Sequence, residues 1–188
     1  MAHENLEGLR VAILVAEGFE EVEMTKPRAA LEAAGAKTTL VSPEAGKVLS
    51  FNHHDKSKSY DVDITLEEAK ANEYDALLLP GGVMSPDTLR TIPDAVEFVK
   101  TFFEEQKPVA AICHGPWTLI EAGVIKGLTL TSWPSLKTDI NNAGGVWVDA
   151  EVSQDRNLVT SRMPDDIPAF NDRMIMVFAE SLRPVTRA

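Results

Sequence analysis

Residues 108–117 read Pro-Val-Ala-Ala-Ile-Cys-His-Gly-Pro-Trp. Pro108–Ile112 is a short apolar run of the kind a parallel sheet buries on both faces. Cys113-His114-Gly115 interrupts it at once, and Pro116 suits the first position of a helix reaching about Glu121. Strand, sharp turn and helix start therefore follow one another without a linker. That succession is the building unit of an α/β fold.

The same unit recurs outward from this segment. Leu9–Ala16 (LRVAILVA) is an apolar strand ended by Gly18, and the acidic stretch Glu20–Glu23 leads into a helix. Pro27 is tolerable in that helix only within its first turn, whose N–H groups lack partners anyway. Gly35 reads as the residue just past its end. Thr38–Ser42 is a second strand, and the polar residues 43–73 suggest a hairpin ending in Val62–Thr65. Asp75–Gly82 (DALLLPGG) is a buried strand entering a Gly-Gly turn. Ser85-Pro86-Asp87 reads as a helix start with Ser85 as N-cap, and Pro93 starts another helix with apolar residues at helical spacing. Leu128–Thr131, Val146–Val148 and Leu158–Ser161 are shorter strands, and Pro164–Ser181 is a final helix. No linker, repeat or compositional break divides the series. One domain spanning 1–188 is expected, with its core at about 9–182 and a mainly parallel sheet in an α/β sandwich.

Composition narrows the function. The 188 residues are 44% hydrophobic and 25% charged, ordinary values for a globular chain. Lys and Arg number 18 against 29 Asp and Glu, a net charge of −11 with no basic cluster to neutralise a phosphate backbone. The opening MAHENLEGLR has no apolar run, and no stretch approaches a membrane span, so a cytoplasmic protein is expected. Cys113 is the single cysteine, which excludes an intramolecular disulfide and fits a reducing compartment. With only His3, His53, His54 and His114 beside it, a zinc site has almost no material, and no metal or cofactor is expected.

Ligands of such sheets bind beyond the carboxyl ends of the strands, where Gly18–Glu23, Pro80–Gly82 and Cys113–Gly115 fall. Ala111-Ile-Cys113-His-Gly115 has a small residue two positions either side of a nucleophile, the pattern of a nucleophile elbow. A lone cysteine can also be an inert buried residue. His114 is the adjacent base, but consecutive side chains at a turn diverge, so its ring need not reach the sulfur. Its backbone N–H is well placed, with that of Gly82, as an oxyanion hole. Glu20 and Glu23 share a face if a helix begins there. A carboxyl buried beside a thiol is pushed toward its protonated form, and a neutral Glu23 could donate a hydrogen bond to a thiolate. Gly81 belongs to the same turn. Asp87 either orients His114 or serves the helix dipole. Phe19, Trp117 and Trp133 read as core or pocket wall, and His53 and His54 as solvated hairpin residues.

Ala110-Ala-Ile-Cys113-His114-Gly-Pro-Trp117, Leu79-Pro-Gly-Gly82, Phe19-Glu-Glu-Val-Glu23, Thr131-Ser-Trp-Pro-Ser-Leu136 and Ser161-Arg-Met-Pro-Asp-Asp166 together resemble the PfpI intracellular protease/deglycase family. The resemblance covers roughly residues 10–180. It implies a flavodoxin-like three-layer α/β/α sandwich of the class I glutamine-amidotransferase-like superfamily, assembled as a homodimer or hexamer. It implies Cys113 as nucleophile, Glu23 as its carboxyl partner and Glu20 as a second acidic pocket residue. His114 and an acid from a neighbouring subunit form the family's peptidase triad, and the matching position here is Asp87. Two activities follow from the resemblance. One is a glutathione-independent glyoxalase or deglycase of the stress response, acting on a small reactive carbonyl or on a glycated protein or nucleotide. The other is an intracellular cysteine peptidase. A non-catalytic redox sensor or chaperone is the third reading.

Overall fold

Val11, Ile13 and Val15 pack in one apolar cluster while Ala12, Leu14 and Ala16 pack in another, so the first strand buries both faces. The structure is a computed structural model describing residues 5–182, which leaves His3 outside. Its elements are β1 (Arg10–Leu14), β2 (Phe19–Glu20), α1 (Glu21–Ala33), β3 (Lys37–Ser42), β4 (Lys47–Asn52), β5 (Asp55–Asp61), β6 (Ile64–Thr65), β7 (Ala76–Leu79), α2 (Met84–Leu89), α3 (Pro93–Glu104), β8 (Val109–Ile112), α4 (Pro116–Glu121), β9 (Thr129–Leu130), α5 (Lys137–Asn142), β10 (Val146–Trp147), β11 (Val152–Asp155), β12 (Leu158–Ser161) and α6 (Ile167–Ser181).

The main sheet has seven strands in the order β11-β12-β8-β7-β1-β3-β6. All its pairings are parallel except that of β11 with β12. One face carries α1 and α6 through Met24, Leu31, Phe170, Met174 and Phe178. The other carries α3, α4 and α5 through Phe98, Val99, Phe102, Leu119 and Ile140. The flavodoxin-like three-layer sandwich is thereby present. Strand order reverses between β1 and β7, and a ligand crevice forms at such a reversal because the connections leave on opposite faces. The loops after β1, β7 and β8 all open there.

Several expected boundaries moved. α1 begins at Glu21, so Pro27 lies inside the helix and not in its first turn. The missing N–H leaves the Glu23 carbonyl without its usual partner, and the buried proline ring offsets part of that loss. Gly35, at φ 103°, ends α1 as its C′ residue. α2 begins at Met84 with Val83 as its cap, so Ser85 is not the N-cap and Pro86 is not the first helical residue. Ser85 is buried, and its Oγ accepts a hydrogen bond from the Ala16 N–H at 2.9 Å, tying α2 to the end of β1. The hairpin is β4–β5, whereas Ile64–Thr65 joins the main sheet parallel to β3. β4 also pairs with β2, which lays the hairpin beside Glu20.

Candidate active site

The loop after β1 is held to the loop after β7 and to β4 by backbone bonds. The Glu20 N–H donates to the Gly81 carbonyl at 3.1 Å, and the Gly18 N–H donates to the Leu49 carbonyl at 2.9 Å. Gly81 and Gly82 are needed for different reasons. Gly82 has φ 82°, in the left-handed region, whereas Gly81 is needed for space. A Cβ on Gly81 would meet Glu23 Oε2, the Cys113 Cβ at 2.6 Å and the Ile112 carbonyl at 2.8 Å.

Cys113 itself takes φ 61°, a left-handed conformation that costs a residue with a Cβ about 1–2 kcal/mol. The turn is held by the Cys113 N–H on the Ser161 carbonyl at 3.1 Å and by the Gly115 N–H on the Ile112 carbonyl at 2.9 Å. The Trp133 N–H adds a bond to the Cys113 carbonyl at 2.9 Å. A Cβ at position 115 would lie 2.6 Å from the Leu79 carbonyl. This is why the elbow requires a glycine there. The thiol is 7% exposed and takes hydrogen bonds from the backbone N–H groups of Gly82 and His114.

Glu23 is fully buried, and its Oε2 accepts a hydrogen bond from the Gly81 N–H at 2.9 Å. Its Oε1 has no hydrogen-bond partner of its own among the described residues, and the carboxyl interacts with the Cys113 thiol beside it. Burial, reinforced by the charge of Glu20, pushes the Glu23 carboxyl up to about 8. Burial also pushes the Cys113 thiol up, and an ionised Glu23 pushes it further. Because Glu23 is mostly protonated at neutral pH, its contribution to the thiol fades there. Burial is then opposed by the two N–H donors on sulfur.

His114 does reach the sulfur. Its Nδ1 lies 3.2 Å from Cys113 Sγ, contrary to the expected divergence, because the left-handed backbone at Cys113 folds the next side chain back. Its Nε2 faces Ser135 Oγ at 3.5 Å. Trp117 packs edge-on at 5.0 Å and Trp133 stacks at 5.9 Å, and this burial lowers the imidazole to about 4. The ring is therefore neutral at pH 7. Asp87 is the fourth residue of α2 and is exposed, and within the chain the His114 ring bonds to Cys113 and Ser135.

Glu20 is 5% exposed, and its Oε2 accepts from the His53 backbone N–H at 2.9 Å. His53 and Ser135 are site neighbours that sequence reasoning missed. His53 gave no signal because its link to Glu20 depends on pairing of β2 with β4. Ser135 lies in a segment noticed only for its tryptophan and proline. Phe19 is core, while Trp133 is partly exposed beside His114. Among the described residues no group of three or more His, Cys, Asp or Glu side chains is placed to hold a metal, and no helix is long and apolar enough to cross a membrane.

The sequence matches the DJ-1/PfpI family over residues 9–176. The chain belongs to the DJ-1/PfpI family. Among DJ-1/PfpI relatives, the putative cysteine protease YraA of Bacillus subtilis is 44% identical over 86% of this chain and 94% of its own length. The deglycase PYRAB04690 of Pyrococcus abyssi is 45% identical over 86% of this chain and 95% of its own. A solved Anabaena variabilis protein containing DJ-1/ThiJ/PfpI-like and ferritin-like domains superposes with a TM-score of 0.84 at 35% identity. That match covers 89% of this chain, which spans 47% of the two-domain protein.

Proposed function

We propose that this DJ-1/PfpI chain is a cysteine-dependent enzyme that adds the Cys113 sulfur to reactive carbonyls such as methylglyoxal. The observation that carries this reading is a fully buried, protonatable Glu23 beside a thiol whose sulfur already receives two backbone N–H donors. A carbonyl addition needs these groups and no leaving-group chemistry. The thiolate forms a C–S bond to the aldehyde carbon, the C=O pair moves to oxygen, and oxygen takes the Glu23 proton. The resulting Glu23 carboxylate removes the proton on the same carbon to give an enediolate. Glu23 returns that proton to the neighbouring carbon, and the hydroxyl proton passes from the first oxygen to the second, so that the sulfur-bearing carbon becomes the C=O of a thioester. Water then releases lactate and returns the thiol.

A second reading, an intracellular cysteine peptidase, is favoured by the 3.2 Å contact between His114 Nδ1 and Cys113 Sγ. Peptide cleavage must also protonate an amine leaving group, and a buried imidazole lowered to about 4 is a poor reservoir for that proton. Asp87 could assist it only from a second copy of the chain, in a homodimer or hexamer.

The test incubates wild type and Cys113→Ala with methylglyoxal, following lactate, with casein hydrolysis in parallel. The carbonyl reading expects lactate from wild type alone. Casein cleavage that depends on Cys113 without lactate would install the peptidase instead, and inactivity in both assays would leave a redox sensor or chaperone.

A further inference from the structure

Glu20 is more than nine-tenths buried, yet only one of its carboxylate oxygens is accounted for. Oε2 takes the His53 N–H, while Oε1 is buried with no hydrogen-bond partner among the described residues. An unmatched acceptor of this kind costs about 1–3 kcal/mol, more when charged, unless something donates to it. The Glu20 backbone N–H donates to the Gly81 carbonyl at 3.1 Å and Glu23 accepts from the Gly81 N–H, so both acids meet the glycine turn that lies against Cys113.

The carboxyl is held there by the β4–β5 hairpin. β2 pairs with β4 so that Phe19 lies opposite Ser50 and Glu20 opposite Phe51. Ser57 Oγ and Tyr60 Oη of β5 both donate to Glu21, Tyr60 at 2.7 Å, which pins the hairpin to the start of α1. At its turn His53 adopts φ 56°, and this left-handed conformation directs its N–H at Glu20. The His53 side chain is largely exposed, with Nδ1 3.8 Å from Glu20 Oε2.

Resting on the carbonyl reading above, we infer that the His53 turn positions Glu20 as a specificity residue. Glu20 Oε1 accepts a hydrogen bond from an O–H on the carbon next to the reacting carbonyl. Glu23 serves the carbonyl oxygen and Glu20 serves the neighbouring hydroxyl, so the pocket selects α-hydroxy carbonyls and hydrated dicarbonyls over plain aldehydes. The same charge disfavours 2-oxo acids, whose carboxylate would face it. His53 acts through Glu20 and is a positioning residue.

The experiment compares glycolaldehyde with propionaldehyde, which differ in having a hydroxyl or a methyl on the neighbouring carbon. Reversible addition of either to Cys113 slows its alkylation by iodoacetamide, read by intact mass at the single cysteine. Each protection constant is normalised to the hemithioacetal constant of that aldehyde with a free thiol. Wild type is expected to prefer glycolaldehyde about tenfold. Glu20→Gln is expected to bring the ratio within about threefold of unity. His53→Pro removes the N–H and should do the same, whereas His53→Gly keeps the N–H, accepts the left-handed turn and should retain the preference. Should His53→Pro not fold, Glu20→Gln decides the matter. Equal protection by both aldehydes, or a preference that survives Glu20→Gln, overturns the inference and leaves the carbonyl reading standing. No protection by either aldehyde overturns both.

Discussion

The Gly81 N–H donates to Glu23 Oε2 at 2.9 Å, across 58 residues of sequence. This bond joins the loop after β7 to the first turn of α1 and orients the carboxyl beneath the Cys113 elbow. It engages Oε2 and leaves Oε1 without a hydrogen-bond partner among the described residues.

Gly81→Ala should damage stability and chemistry together. The added Cβ meets Glu23 Oε2 and lies 2.6 Å from the Cys113 Cβ and 2.8 Å from the Ile112 carbonyl. Two of those neighbours form the site, and the carbonyl belongs to a central strand. A loss of about 1–3 kcal/mol by denaturant unfolding is expected, with thiol alkylation at neutral pH slowed severalfold. Unfolding and alkylation curves that overlay wild type would contradict the packing.

Glu23 variants should order themselves by their ability to donate to sulfur. Glu23→Gln keeps a donor of similar reach, Glu23→Asp is shorter and Glu23→Ala has none. The thiol pKa, read from the pH dependence of alkylation, should rise least in Glu23→Gln and by about one unit or more in Glu23→Ala. Loss of the acid should lower kcat/KM for methylglyoxal by about a hundredfold. An unchanged thiol pKa in all three would remove Glu23 from the account.

Stability should fall on the alkaline side because of the same residue. Folding raises the Glu23 carboxyl from 4.5 to about 8, so the folded state favours the protonated form. The contribution is complete below the unfolded value and is lost as pH rises through about 8. Glu23→Gln, which never ionises, should therefore gain on wild type between pH 5 and 9, by at most about 5 kcal/mol. The two Tm curves should diverge with rising pH, and parallel curves would be the contrary result.

His114 should show the opposite sign. Burial lowers it to about 4, so its contribution is present above its ordinary value near 6.5 and is lost as pH falls through 4. His114→Gln should be less acid-labile than wild type over that interval. As its ring is neutral near pH 7, its removal should cost carbonyl turnover about tenfold, well below the loss in Glu23→Ala. A loss of a thousandfold or more would favour the peptidase.

Much of this was legible in the chain itself. The apolar runs at Leu9–Ala16, Asp75–Leu79 and Pro108–Ile112 alternate with helices because a parallel sheet must be buried on both faces. The small residues around Cys113 announce a turn that a Cβ at position 115 would block against the Leu79 carbonyl. Local rules failed where tertiary contacts decided. Pro27 sits inside α1 because its ring is buried, and Ser85 moved from cap to tether because Ala16 needed an acceptor. The His53–Glu20 bond spans 33 residues and follows from strand pairing, for which a polar hairpin sequence carries no local signal. The approach of His114 to sulfur accompanies the left-handed backbone of Cys113, which residue spacing alone does not reveal.

The account rests on Glu23 keeping a proton while the sulfur reacts as a thiolate. Infrared difference spectroscopy of wild type against Glu23→Gln at pH 7 reads both groups at once, since the chain's single cysteine makes any S–H stretch unambiguous. The expected spectrum shows a protonated carboxyl C=O stretch at pH 7 that vanishes in Glu23→Gln. A strong S–H band with no protonated carboxyl band would place the proton on sulfur and contradict it.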